Sequence, residues 1–259
     1  MNTKKVIDHI VNWLDDYLSK ANMNGFVIGI SGGIDSAVSS SLCALTNRKV
    51  ILVNMPINQH SEEYKRANKH IDYLNKNYLN TQNVEVDLNE TFQVLKSSLP
   101  IAVKENHLSM ANSRARIRMT TLYAIAQNEN CLVCGTGNKI EDFGIGFFTK
   151  YGDGGVDISP IADLLKSEVF SIAKKLNIID EIQSAKPTDG LWGDDRTDED
   201  QIGATYNELE WAMKHGKNNE EKLSDREKEV LRIYNHLNKV NQHKMLPIPV
   251  CVIPKSLRK

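Results

Sequence analysis

The chain has 259 residues, 41% of them apolar and 25% charged, with a formal charge of −1, the proportions of one globular domain spanning residues 1–259. A near-zero charge gives no reason to expect nucleic acid or an anionic membrane surface as a partner, and no apolar run is long enough to cross a bilayer. Asp8, Asp15 and Asp16 interrupt the opening stretch, which excludes a secretory signal there. Cys43, Cys131, Cys134 and Cys251 lack secreted disulfide spacing, which suits the reducing cytoplasm.

Val6, Ile7, Ile10, Val11, Leu14, Tyr17 and Leu18 recur at helical spacing and predict an opening amphipathic helix. The period then changes. Phe26–Ile30, Val50–Met55, Val84–Leu88 and Cys131–Cys134 are short apolar runs separated by helix-length segments, the pattern of buried parallel strands. Strand–helix alternation predicts an α/β protein, an open, mostly parallel, doubly wound sheet with helices on both faces. Such sheets bind ligands beyond the carboxyl ends of their strands.

The first such end carries the sharpest motif. Gly29-Ile30-Ser31-Gly32-Gly33-Ile34-Asp35-Ser36 follows the first strand and opens a segment, 36–45, that can be helical. Small residues let consecutive backbone N–H groups approach a pyrophosphate, and the helix N-terminus favours the anion. The lysine of a Walker loop and the GxGxxG dinucleotide fingerprint are both missing. Farther on, Arg114, Arg116 and Arg118 lie on a predicted helix. Arg114 and Arg118 share one face and read as surface or helix-pairing charges, while Arg116, displaced by about 200°, faces elsewhere.

Cys131 and Cys134 form a CxxC, but Leu132 and Val133 between them read as a buried strand that sends the cysteines to opposite faces. Seven glycines between 135 and 157 predict a loop rather than a regular element, and a candidate lid over 137–155. Asp198 with Gln201, and Ser224 with Glu227, mark two late helices over 198–214 and 225–241.

Ser-Gly-Gly-Ile-Asp-Ser resembles the pyrophosphate loop of ATP pyrophosphatases, which release AMP and diphosphate. Within that group the chain resembles the ammonia-dependent NAD synthetases, through 114–119, Gly135-Thr136-Gly137-Asn138-Lys139-Ile140-Glu141, 146–155 with Phe147-Phe148-Thr149-Lys150-Tyr151-Gly152-Asp153, and Pro187-Thr188.

The resemblance implies ATP as co-substrate at Gly29 to Ser36, Thr136, Lys166 and Thr188. It implies Mg²⁺ at Asp35 and Glu141, hard oxygen donors of the kind that ion prefers, and deamido-NAD at Arg116, Lys150, Asp157, His243 and Lys244. It also implies a homodimer, with helices around 92–127 as its contact, and amidation of a nicotinate carboxylate by ammonia through an acyl-adenylate without a dedicated acid or base. A separate glutaminase domain does not fit in this length. The rival readings are another ATP pyrophosphatase, such as a tRNA-thiolating enzyme, and an adenine-nucleotide sensor without turnover.

Overall fold

The computed structural model describes residues 1–188, 197–215 and 223–258. Helix α1 (Thr3–Ala21) buries Ile7, Ile10, Leu14 and Leu18 along one stripe and stops at Asn22, whose left-handed φ of 54° ends the helix. Four strands follow: β1 (Gly25–Gly29), β2 (Lys49–Asn54), β3 (Thr81–Glu85) and β4 (Cys131–Val133). They form a parallel sheet in the order β3-β2-β1-β4. Past β4 the chain extends the sheet by a parallel bridge between Cys134 and Ile158.

The period-2 alternation of the central strands sorts their side chains between two cores. Phe26, Ile28, Val50 and Leu52 face α1, α2 (Ile34–Leu45), α3 (Ser61–Asn77) and α7 (Lys166–Lys175). Val27, Ile51, Val53 and Val133 face α4 (Asn89–Ser98) and α6 (His107–Glu129), which the short α5 (Ile101–Lys104) links. The expected doubly wound arrangement is therefore present. Each large apolar side chain fully withdrawn from water in these layers contributes about 1.5–3 kcal/mol. Cys131 joins one core and Cys134 the other, as the strand reading required, and Cys134 lies against Cys43 with the sulfurs 3.6 Å apart.

Three expectations need correction. The third strand lies at 81–85 rather than 84–88, and as an edge strand it is only partly buried. The glycine-rich stretch contains a regular element, the π-helical turn Ile140–Ile145, ended by Gly146 with φ 64°. The helix expected over 198–214 is two, α9 (Asp198–Ile202) and α10 (Tyr206–His215), divided at Gly203 with φ 83°. The cap of α9 is Thr197, paired with Asp200, rather than Asp198. Helix α8 (Asp180–Gln183) precedes them, and α11 (Asp225–Met245) starts on the expected Ser224–Glu227 capping box. The π-helical turn, α9, α10 and α11 bury Ile140, Ile145, Tyr206, Leu209 and Leu231 in a third cluster.

Candidate functional site

In an open parallel sheet the crevice forms where the strand order reverses. Here the chain runs outward from β1 to β3, then returns to place β4 on the other side of β1. The loops leaving β1 and β4, 30–36 and 134–137, meet at that point and line a cavity of about 290 Å³.

The first loop is built to leave amides available. Ser31 Oγ and Ser36 Oγ lie 3.0 Å apart, Gly33 N–H donates to Ser31 Oγ, and Ser36 Oγ donates to the Gly33 carbonyl. These bonds fix the curve of the loop from inside. Gly33 occupies the N-cap of α2 and supplies no side-chain cap, so the first-turn amides of that helix lack an internal partner and present a positive end to the cavity. Gly32 adopts φ 86° and packs so closely on α3 that a Cβ would lie 2.4 Å from the Glu63 carbonyl oxygen. Gln59 Nε2 and Arg66 Nε donate to the carbonyls of Ser31 and Gly32 and hold the loop from outside.

Asp35 stands in the first turn of α2, where it would repel an anion unless a cation intervened. Its Oδ2 accepts from Lys166 Nζ at 2.5 Å, and the same ammonium donates to Glu141 Oε1 at 3.1 Å. Lys166 is 3% exposed. Burial works against its charge, but Asp35 and Glu141 overcome this and hold the ammonium above its ordinary value. Burial, joined by Glu141, raises the Asp35 carboxyl despite Lys166.

Two carboxylates drawn from α2 and the π-helical turn thus converge on one cationic point. Hard oxygens in that arrangement fit Mg²⁺. No set of three or more His, Cys, Asp or Glu ligands forms among the described residues, so phosphate oxygens and water would complete such a site.

Sequence reasoning missed the partner that orients Glu141. Tyr206, on α10, donates its hydroxyl to Glu141 Oε1 at 2.6 Å and lies 3.2 Å from Asp198 Oδ2. Its ring centroid is 4.6 Å from Lys166 Nζ. Burial, reinforced by Glu141 and Asp198, keeps the phenol far above its ordinary value and thus a donor. No spacing rule links positions 141 and 206. The structure likewise places Arg118 on the cavity wall, correcting its reading as a surface or helix-pairing charge.

Thr136 and Thr188 line the cavity beside the loop. The remaining expected residues lie around the 146–158 segment. Arg116 is exposed on α6 and donates from Nε and Nη2 to the Lys150 carbonyl at 3.3 Å. Lys150 Nζ donates to the His243 carbonyl, and Lys244 Nζ to that of Phe148. Asp157 accepts from Tyr123 Oη at 3.0 Å and from the Val133 amide at 2.8 Å. These residues are drawn together, and each is engaged with the protein. Next to Glu141, burial lifts the Asp142 carboxyl to about 8.

Comparison with known proteins agrees with this geometry. Residues 6–247 match the family described as NAD synthase. An NH(3)-dependent NAD(+) synthetase from Mesoplasma florum is 40% identical over 247 residues, covering 94% of this chain and 95% of that one. Its counterpart from Carboxydothermus hydrogenoformans is 37% identical, covering 95% and 99%. The solved NMN synthetase of Francisella tularensis has a TM-score of 0.85 at 31% identity, covering 98% and 99%. By the extent and identity of these matches, the chain belongs to the NAD synthase family.

Proposed function

We infer that the chain amidates deamido-NAD with ammonia, consuming ATP and releasing AMP, diphosphate and NAD. The observation that carries this reading is the Asp35–Lys166–Glu141 cluster beside an uncapped, glycine-rich helix start at the sheet's switch point. A nicotinate carboxylate is a poor electrophile because its leaving group would be oxide. Transfer of the α-phosphorus of ATP to that carboxylate makes an acyl-adenylate, and ammonia then displaces AMP.

In the first step the amides of Gly32 and of residues 34–36 receive the departing diphosphate, the loop being shaped by Ser31, Gly33 and Ser36. Asp35 and Glu141 would hold Mg²⁺, which when bound neutralises phosphate charge and aligns the phosphates. Lys166 supplies a fixed positive charge beside the reacting phosphate, and Thr136 and Thr188 border the nucleotide. Arg116, Lys150, Asp157, His243 and Lys244 border the deamido substrate, whose arrival would exchange their main-chain bonds for phosphate and ribose contacts. Positioning and charge neutralisation carry the chemistry, so no dedicated acid or base is assigned.

The chain acts as one domain, 1–259, in the cytoplasm and as a homodimer. Among the described residues no helix is long and apolar enough to cross a membrane. The exposed Val94, Ile101 and Leu108 on α4, α5 and α6 support that face as the subunit contact.

The test is an assay of purified protein with deamido-NAD, ATP and ammonium, with Asp35→Ala as control. AMP, diphosphate and NAD should appear in equal amounts and only when all three substrates are present. Release of ADP and orthophosphate would overturn the reading. The likeness to the Francisella tularensis NMN synthetase supports a second substrate, deamido-NMN. Paired kcat/KM values for the mono- and dinucleotide decide between them.

A further inference from the structure

Among the cations that line the cavity, Lys166 faces two carboxylates. Arg66 donates to the Gly32 carbonyl of the phosphate loop. Arg118 comes from α6. Helix α6 directs it inward, and its Nε donates to the Met55 carbonyl at 3.0 Å. That bond occupies one of the five guanidinium donors. Among the described residues no carboxylate pairs with it, although burial pulls the group down to about 10, assisted by Arg114 and opposed by Glu63 and Asp153. A half-buried guanidinium on a cavity wall, with donors left over from its one main-chain bond, is placed to receive an anionic ligand.

Its location supplies a reason. Met55 directly follows β2, the strand paired with β1. A Cβ on Gly29 would touch Met55 Cε at 3.2 Å and Leu122 Cδ1 at 3.7 Å, so this turn of α6 lies over the root of the phosphate loop. Four residues beyond Met55, Gln59 grips the Ser31 carbonyl. The anchor of Arg118 and the loop are therefore one rigid unit. Arg66 and Arg118 line the same cavity as the phosphate loop, together with the carboxylates of Glu63, Asp35 and Glu141. The terminal phosphates hold most of the negative charge of ATP, and a planar fork is suited to receive them.

We propose that Arg118 contacts the two terminal phosphates of ATP and holds the diphosphate as it departs. The proposal rests on the ATP-cleaving reading above. Calorimetric titration of the full chain with inorganic diphosphate, ATP, AMP and deamido-NAD, each with Mg²⁺, tests it using Arg118→Gln and Arg118→Lys. In Arg118→Gln, diphosphate and ATP should bind roughly 10- to 100-fold more weakly, while AMP and deamido-NAD bind as in the unaltered chain. Arg118→Lys, which keeps charge but loses the fork, should recover only part of the loss. Equal weakening of all four ligands would show a structural role, and weakening confined to deamido-NAD would assign Arg118 to the substrate carboxylate. Unchanged diphosphate binding in both variants would also overturn the proposal. Failure of the unaltered chain to bind diphosphate would instead remove the wider reading.

Discussion

Tyr206 and Gly32 show how single positions control the site. Glu141 projects from a π-helical turn, an irregular element often found where side chains must be re-aimed. The Tyr206 hydroxyl and the Lys166 ammonium together fix its direction. Tyr206→Phe removes a bond to a carboxylate worth about 1.5–3 kcal/mol while leaving the ring packing intact. The Mg²⁺ concentration giving half-maximal rate should rise about tenfold or more, beside a fall of several degrees in Tm; a fall in Tm without that shift would count against the assignment. Gly32→Ala combines a φ of 86° with a Cβ 2.4 Å from the Glu63 carbonyl. The loop must deform, and ATP binding should weaken by at least about tenfold, from strain of roughly 1–3 kcal/mol. ATP titration of that variant checks this.

Among whole elements, α2 and α3 are clamped by a buried pair. His70 Nε2 lies 2.9 Å from Ser40 Oγ, and His70 Nδ1 has no hydrogen-bond partner among the described residues. A second proton would place an unpaired N–H in the core, so burial depresses the imidazole from 6.5 to about 4. The unfolded chain protonates first as pH falls. Stability from this group is therefore complete above pH 6.5 and declines as pH drops toward 4. The loss is about 3 kcal/mol at about 1.4 kcal/mol per unit. Denaturant unfolding between pH 7 and pH 4 should show it, and His70→Gln should flatten that part of the profile.

The elements also show what a sequence can disclose. Gly32 and Gly33 were legible because a left-handed residue and a bare helix start demand glycine whatever the surroundings. The central strands were legible because both their faces are buried. β3 was misplaced by three residues because an edge strand has a weak apolar signature. The turn at 140–145 was hidden by neighbouring glycines that serve close packing, as where a Cβ on Gly146 would lie 2.5 Å from Asn241 Cβ. Lys166, Thr136 and Glu141 were found through family resemblance. The pairing of Tyr206 with Glu141 is purely tertiary and left no mark in spacing.

For the molecule as a whole, the α4–α6 surface provides the test of assembly. Ile101 and Leu108 are exposed, with Val94 beside them, an arrangement suited to an isologous contact. Placing aspartate at both Ile101 and Leu108 should convert a dimer to monomers in sedimentation velocity without lowering helical content. A chain that is monomeric before any change would end the homodimer proposal.

Helix α11 does more than close the third cluster. Asn238 and Asn241 donate to the carbonyls of Gly144 and Ile145, and Lys244 to that of Phe148. The turn that carries Glu141 is therefore tied down by side chains made about a hundred residues later in synthesis. A nascent chain can assemble its sheet and phosphate loop early, yet the turn bearing Glu141 stays unsecured until its last long helix has left the ribosome. Competence to hold nucleotide and competence to transform it are thus separated in time.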